Sequence, residues 1–272
     1  GYELEFRSEV VRRKDLFVAV FANLAHNENR ILKISESLKA YNDRVKDHFA
    51  NSNRFDGSNT QPFTQYVEGG SQTSIWGVPS LGIDPATGEE IFIRPDGSIT
   101  NTWNTNDQVV LGDMEPKIQG TFGLNATYKN LSLYMTFMYE AGGQIYNSTL
   151  RDKVEDVNVY TSNVDKRVFS ERWQEPGDKA RYRKLTSGVG GSIMRTRPTS
   201  RFVEDNNVLT LNSISLGYDF DAGQKWMKTI GLSMLRFEIG ANDVCRWSSV
   251  KVERGLNYPY ARSFNFSLKA AF

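Results

Sequence analysis

The sequence predicts an all-β fold built from long antiparallel strands of a membrane-crossing barrel. Three observations carry that reading. Apolar and polar residues alternate over stretches close to the 9 to 11 residues that cross a bilayer at a tilt. Connections between these stretches alternate between short turns and very long excursions. Aromatic residues (Tyr2, Tyr128, Tyr139, Tyr218, Trp247, Tyr258 and Phe272) gather near the ends of the alternating stretches, where an interfacial girdle belongs.

The first stretch places Tyr2, Leu4, Phe6 and Val10 on one face and Glu3, Glu5, Arg7 and Glu9 on the other. That is the period of a strand with two unlike faces. Arg12 to Asp15 is a short polar break. Leu16 to Ala25 is a second apolar stretch of open phase, because both parities are apolar. Residues 26–116 then change character, rich in Asn, Ser, Thr, Gly and Asp, with turn signals at Asp84-Pro85, Thr87-Gly88 and Asp96-Gly97. Short apolar runs recur there at Ile31 to Ile34, Ser74 to Val78 and Glu90 to Ile93. We expect a long excursion carrying small hairpins; a loop of this length normally carries function.

Alternation returns after Pro116. Ile118, Gly120, Phe122, Leu124, Ala126 and Tyr128 share a face, Lys129-Asn130 makes a tight turn, and Leu131, Leu133, Met135, Phe137 and Tyr139 line the returning strand. A second excursion spans about 142–200. Within it Val164, Val168 and Trp173 fall near one helical face, Ser162 and Asp165 are placed for a cap, and Pro176-Gly177 ends the helix. Three strands follow. Ile214, Leu216, Tyr218 and Phe220 alternate, with Leu209 and Leu211 out of phase across a bulge near Asn212-Ser213. Leu235, Phe237, Ile239 and Ala241 alternate next, then a third loop at about 243–261. Phe264, Phe266, Leu268, Ala270 and Phe272 close the chain.

Composition leaves this reading open and narrows the others. Across 272 residues the formal net charge is +1, which gives no reason to expect nucleic acid. The mean hydropathy of −0.49 would suggest a soluble chain, but a membrane strand exposes only alternate apolar residues and leaves a weak signal. No run approaches the ~18 to 20 apolar residues of a membrane helix. Turning the faces round would place Glu5, Arg7, Lys117, Arg236 and Lys269 in hydrocarbon, at roughly 2 to 4 kcal/mol for each Lys or Arg at the midplane. The apolar set is therefore expected to face lipid and the charged set a wet interior.

Candidates for chemistry are few. Glu3, Glu5 and Glu9 share a face as paired catalytic acids do, but Arg7 among them fits a charged lining, and no enzyme is expected. Asp96 to Thr100 with Asp107 has too few carboxylates for a calcium loop, and Pro95 intrudes. His26 and His48 lack zinc spacing. Cys245 is a lone thiol, expected near a strand end as an apolar filler. Trp76, Trp103 and Trp173 lie in the long loops, where aromatic faces can stack on sugars or meet a partner. Lys166, Arg167, Lys179, Arg181, Arg183 and Lys184 form a basic stretch expected on a solvated face. No cofactor or metal is assigned.

Taken in order, a set of short motifs resembles the SusC/RagA family of TonB-dependent outer-membrane transporters, over essentially the whole chain. The set begins with Gly82-Ile83-Asp84-Pro85-Ala86-Thr87-Gly88, Leu111-Gly112-Asp113 before Pro116 and Gly120, and Arg172-Trp173 with Pro176-Gly177-Asp178. It continues with Arg201-Phe202-Val203-Glu204-Asp205, Leu209, Leu211, Leu216-Gly217-Tyr218, Asn242 with Trp247, Tyr258-Pro259, Arg262 and Phe272. The resemblance implies residues 1–272 as the C-terminal part of a transmembrane barrel of about 22 strands with long extracellular loops, in the outer membrane of a Gram-negative bacterium.

It further implies import of glycans, peptides or other large nutrients, a SusD-like surface lipoprotein, energy from TonB-ExbB-ExbD through an N-terminal part, and contact with outer-membrane lipid. Phe264, Phe266, Leu268 and Phe272 would be the signal read by the barrel assembly machinery. The chain begins in mid-pattern, as a fragment or processed product would. It lacks the family's signal peptide, N-terminal extension, TonB box and plug, so by itself it is expected neither to insert nor to transport. Two other readings use the same features: a soluble β-rich glycan-binding module, and an outer-membrane adhesin or scaffold without transport.

Overall fold

The computed structural model describes residues 1–53, 55, 57–161, 163–185, 193–221, 223–251 and 262–272. They form two compact units. One comprises Gly1–Asn27, Pro116–Gly142 and Asn206–Phe272; the other comprises Glu28–Glu115 and Gly143–Asp205.

The first unit is built on one antiparallel sheet. Its strands are β1 (Tyr2–Arg12), β2 (Leu16–His26), β8 (Ile118–Tyr128), β9 (Leu131–Tyr146), β10 (Val203–Asp219), β11 (Met234–Ser248) and β12 (Ser263–Ala271), in the spatial order β1-β2-β8-β9-β10-β11-β12. Each strand pairs with its neighbour in this series, so strand alternation puts the long β2–β8 and β9–β10 connections at one end of the sheet. The Arg13–Asp15 and Lys129–Asn130 turns fall at the other. Lys129 turns through φ 50°, where its N–H donates to the Asp15 carbonyl at 2.8 Å.

Register decides what periodicity left open in β2. Phe6 lies opposite Ala22 and Leu4 opposite Leu24, so Val18, Val20, Ala22 and Leu24 share the apolar face. Phe17, Ala19 and Phe21 share the other. In β1 the pairing jumps from Glu9–Ala19 to Val11–Val18. One extra residue, Val10, bulges out, so Val11 rather than Val10 continues the apolar face and Arg12 comes over the Phe17 ring at 5.6 Å.

The expected bulge near Asn212 is present, but its extra residue lies in the partner strand. Between the pairs Leu211–Cys245 and Ser213–Asn242, β11 spends one residue more than β10, and Asp243 takes φ 52° to do so. β10 therefore alternates without a break, and Leu209 and Leu211 stand on the face of Ser213 and Ser215. Strand β11 continues to Ser248, so the third loop begins later than 243. Residues 252–261 of that loop, with Tyr258 and Pro259, lie outside the described residues. The second excursion is likewise narrower than 142–200 at its start, because β9 runs to Tyr146.

The apolar face is continuous from strand to strand. Leu4, Leu24, Phe122, Phe137, Leu216, Ile239 and Phe266 sit on it, joined by direct pairs such as Ala22–Phe122, Phe122–Phe137, Leu216–Ile239 and Ile239–Phe266. Many of its side chains stand in the open, most of all on β12, where Phe264 is 66%, Phe266 71% and Leu268 68% exposed; Leu24 and Phe137 are half-buried. The opposite face pairs Asp219 with Arg236 at 2.8 Å, Arg236 with Ser132 at 2.9 Å and Glu5 with Asn23 by register. It carries aromatics too. Phe21 stacks on Tyr134 at 6.1 Å, with Gly123 between their strands, because a Cβ at Gly123 would meet the Phe21 ring at 2.6 Å.

The second unit has its own small elements. Strands β3 (Ser74–Gly77) and β7 (Val109–Asp113) pair with each other; β4 (Ser80–Ile83), β5 (Glu90–Ile93) and β6 (Ile99–Thr100) form a meander. The runs at Ser74 and Glu90 thus become strands, while Ile31–Ile34 does not. A helix absent from the sequence reading, α1 (Glu36–Asn51), occupies the start of the first excursion. Ser35 caps it by accepting from the Leu38 N–H at 3.3 Å. Its face of Tyr41, Val45 and Phe49 packs into a cluster with Val78, Phe92, Trp103 and Phe63.

In the second excursion α2 (Ser148–Leu150) runs into a π-helical turn at Arg151–Glu155, where the Asp156 N–H reaches back to the Arg151 carbonyl at 2.8 Å. The expected short helix is reduced to the single turn α3 (Arg167–Ser170), with Asp165 accepting from the Arg167 N–H at 2.9 Å; it stops before Trp173 and well before Pro176-Gly177, and Ser162 lies outside the described residues. Leu150, Val154, Val157, Val168, Tyr182 and Phe202 form a second core cluster. Burying each such side chain contributes roughly 1.5 to 3 kcal/mol. A last short helix, α4 (Lys225–Thr229), belongs to the first unit.

Candidate functional site

The chemistry of the second unit concentrates in a buried network of arginines and carboxylates. Arg201 opens it. Its Nε and Nη2 donate to the two oxygens of Glu90 at 2.8 Å each, its Nη2 also reaches Glu155 Oε1 at 2.8 Å, and its Nη1 reaches the Arg181 carbonyl at 3.0 Å. This is the forked geometry that suits a guanidinium to a carboxylate. Thr199 Oγ1 adds a bond to Glu90 at 2.7 Å. Arg183 pairs with Glu155 at 3.3 Å and Asp156 at 3.1 Å. Arg151 lies 3.8 Å from Asp156 and also donates to the Thr60 carbonyl.

Arg172 acts differently. It donates to four backbone carbonyls: Val168 at 3.2 Å, Arg183 at 2.7 Å, Glu155 at 2.9 Å, and Val154. At Val154, Glu155 and Val168 the guanidinium thereby satisfies carbonyls near the ends of the π-helical turn and α3, and at Arg183 it ties in the following loop. Two of the motifs singled out in the sequence, Arg172-Trp173 and Arg201-Phe202, are thus the places where a loop core is tied together.

The electrostatics follow from burial and pairing. Burial alone would push the Glu155 carboxyl up, but Arg201 and Arg183 outweigh it and hold the group below its usual range. Asp156 goes the other way. Burial raises it beyond what Arg183 and the Thr196 N–H and hydroxyl recover, and Glu155 beside it adds to the rise. Arg201 is held well above its ordinary value: burial lowers it, and Glu155 and Glu90 more than reverse that.

The expected solvated basic face holds for Lys166, Lys179 and Arg181, which are exposed, and is corrected for the others. Arg183 is almost wholly buried in the network, and Lys184 pairs with Glu89 at 3.0 Å. Arg167 pairs with Asp165 at 2.7 Å, and Arg181 with Glu204 at 3.3 Å.

The loop tryptophans take three different positions. Trp103 is 9% exposed, donates Nε1 to the Pro198 carbonyl at 3.0 Å, and carries the Arg197 guanidinium over its ring at 4.8 Å. Trp173 is half-buried, with Nε1 on the Pro85 carbonyl at 2.9 Å and its ring against Gly88. That contact explains the glycine, whose φ of 71° and missing Cβ are both needed. Trp76, half-buried on β3, is the third. The structure does not bring the three together into one surface.

Asp84 folds the turn that Trp173 covers, accepting from the Ala86 N–H at 2.9 Å and the Thr87 hydroxyl at 2.7 Å. Asp96 gives one oxygen to the Ser98 N–H at 2.8 Å and hydroxyl at 2.6 Å, while Asp107 faces Arg94 at 3.9 Å. His26 contacts the Lys117 carbonyl, and His48 packs on Phe49 and Phe63. Cys245 is half-buried within β11, opposite Leu211. Phe264, Phe266 and Leu268 line the exposed face of β12, and Phe272 follows it, 90% exposed.

Sequence reasoning missed Glu90, Arg151, Glu155, Asp156 and Arg183 as a set. They are scattered over the two excursions, and no spacing rule links them.

No family model matches the chain. It is similar to the TonB-dependent receptor P3 of Formosa agariphila, 24% identical over the whole of this chain and 28% of that protein. It is also similar to the TonB-dependent receptor P26 of the same organism, 24% identical over 55% of this chain and 14% of the relative. Among solved structures, the RagAB peptide transporter superposes with a TM-score of 0.74 at 20% identity, covering 99% of this chain and 29% of the other. The RagAB peptide importer in its closed-closed state gives 0.73 at 20% identity, over the same shares. The chain thus spans less than a third of the length of these proteins. Its order of strands, its loop motifs and these likenesses agree: the chain is SusC/RagA-like, similar from end to end to part of a TonB-dependent receptor.

Proposed function

We propose that residues 1–272 form wall and outer loops of a nutrient importer in the outer membrane of a Gram-negative bacterium. The observation that carries this reading is the apolar face of the seven-stranded sheet. It is continuous across every strand and open at many of its side chains, while the opposite face carries the charged side chains, mixed with aromatics such as Phe21 and Tyr134. A patch of that extent on a water-soluble protein marks a surface made for something apolar, and hydrocarbon is the partner that strands of this length match.

In this reading the sheet closes with further strands into a barrel of about 22, because an open edge is not tolerated in lipid. The three excursions, which follow β2, β9 and β11, lie outside the cell. Phe264, Phe266 and Leu268 on β12 and Phe272 after it present the assembly signal. Energy arrives from TonB through an N-terminal part, and a SusD-like lipoprotein is the partner that captures cargo. The similar solved proteins carry the name peptide transporter, which supports peptides as cargo; glycans are the second class. Of the loop tryptophans, the half-buried Trp76 and Trp173 are the ones proposed for contact with the lid or with cargo at the surface, and Trp103 lies deeper. The activity is transport, without a chemical step.

The test is uptake by cells carrying the full-length receptor, offered labelled peptide and oligosaccharide pools, with and without a functional TonB. We expect accumulation of one pool that stops when TonB is removed. Recovery of the receptor in a water-soluble fraction, or uptake indifferent to TonB, overturns the proposal.

A further inference from the structure

Within the loop unit a cavity of about 60 Å³ has Trp103 and Phe92, both buried, among its walls, with Asn101 and Thr102 exposed at its border. A water needs about 10–15 Å³ by the same measure. The space therefore admits a polar group of a few heavy atoms and not a whole sugar ring.

Three arginines and two glutamates face the cavity. The glutamates are already matched: Glu89 by Lys184 at 3.0 Å, and Glu90 by Arg201 at 2.8 Å. Arg183 is matched by Asp156 and Glu155. Arg197 is held by the Trp103 ring and the Ser52 carbonyl.

Arg195 is different. Its Nη1 donates to the backbone carbonyl of Asp156 at 3.0 Å, its Nε is buried with no acceptor, and among the described residues no carboxylate pairs with it. A half-buried guanidinium that meets a backbone carbonyl and, among the described residues, no carboxylate lacks the partner that low dielectric makes most valuable.

We propose that this cavity is a binding subsite for a carboxylate group, with Arg195 as its ion-pair partner and Trp103 as its apolar wall. Its assignment to imported cargo rests on the transport reading above. The carboxylate can come from an acidic peptide end or from a uronic sugar, and both would present the same planar anion.

The test uses purified full-length receptor and two pairs of probes. One pair is a short peptide with a free C-terminal carboxylate and its C-terminal amide. The other is a glucuronate-ended oligosaccharide and its methyl ester. We expect the acid of at least one pair to bind about ten-fold or more tighter than its neutral twin, and the pair that discriminates names the source. Arg195→Gln should abolish that discrimination, and Arg195→Lys should keep part of it.

Hydrogen exchange on the unaltered protein should show new protection at 101–103 and 195–197 when the acid is added, which decides the matter even where a variant fails to fold. Equal binding within both pairs, discrimination that survives Arg195→Gln, or protection confined to other segments overturns the subsite. Discriminating binding without TonB-dependent uptake of the same probe leaves the subsite standing and overturns the transport reading instead.

Discussion

Glu155 and Asp156 are adjacent in the chain, equally buried, and opposite in their electrostatics. Glu155 takes Arg201 at 2.8 Å and Arg183 at 3.3 Å and sits below its usual range; Asp156 sits above its own. Removing the partner of a buried ion pair costs about 3–5 kcal/mol, because a charge is left uncompensated. We expect Glu155→Gln to lower the opening free energy of residues 150–156 by about that amount, and Asp156→Asn to cost distinctly less at neutral pH. Hydrogen exchange of the full-length receptor, corrected for intrinsic rates, measures both. The signs with pH differ as well. A depressed carboxyl contributes stability above its unfolded value of about 4.3 and loses it as pH falls through the lower folded value. A raised one contributes below its unfolded value and loses that as pH rises through the folded value. Acidification from neutrality should first relieve Asp156 and only afterwards disable Glu155, so protection rises and then collapses. A monotonic fall would contradict the assignment. None of this was legible in the sequence, where burial of a lone acid in a polar loop leaves no pattern. What could be read there was Arg172 and Arg201 as parts of motifs, without their partners.

At the scale of elements, legibility followed periodicity. Strands β8, β9 and β12 alternate cleanly and are readable with their faces, as is β1 up to its bulge at Val10. β2 is not, because Phe17, Ala19 and Phe21 are as apolar as Val18, Val20 and Ala22; only its pairing with β1 fixes its phase. The bulge opposite Asn212 was placed in the right stretch and the wrong strand, since a residue inserted in β11 alters register without changing the alternation of β10. Helix α1 carries its cap at Ser35 and its stripe at Tyr41, Val45 and Phe49, but the surrounding polar composition hides it from the sequence pattern. The alternating faces make a sharp prediction on β12. Phe266 lies on the apolar face opposite Ile239, and Ser267 on the other opposite Glu238. Phe266→Lys should cost roughly 2 to 4 kcal/mol if the site is near the midplane and deplete the full-length receptor from the outer membrane. Ser267→Lys, one residue away, should leave its level unchanged. Quantitative blotting of membrane fractions reads both, and equal loss in the two variants would mean that the faces are misassigned.

The whole sheet raises a different question, that of its edges. Among the described residues β1 has β2 as its one neighbour and β12 has β11. The outer edges of both strands therefore present a row of unpaired N–H and C=O groups. In water such groups find solvent and the edge is an aggregation risk. In hydrocarbon each costs several kcal/mol, and over strands of this length the total exceeds the few kcal/mol by which a domain is ordinarily stable. The apolar face, by contrast, gains only in lipid. These two demands conflict for an isolated sheet and are reconciled when further strands complete a closed ring. Residues 1–272 expressed alone should accordingly be trapped between the two solvents, aggregating through β1 and β12 and extracting from membranes with urea. The same residues within the full-length receptor should resist urea and protease across β8 to β11. If the isolated piece integrated stably and resisted extraction, its edges would have to be satisfied by self-association into a smaller closed barrel, and crosslinking of β1 to β12 would reveal that arrangement.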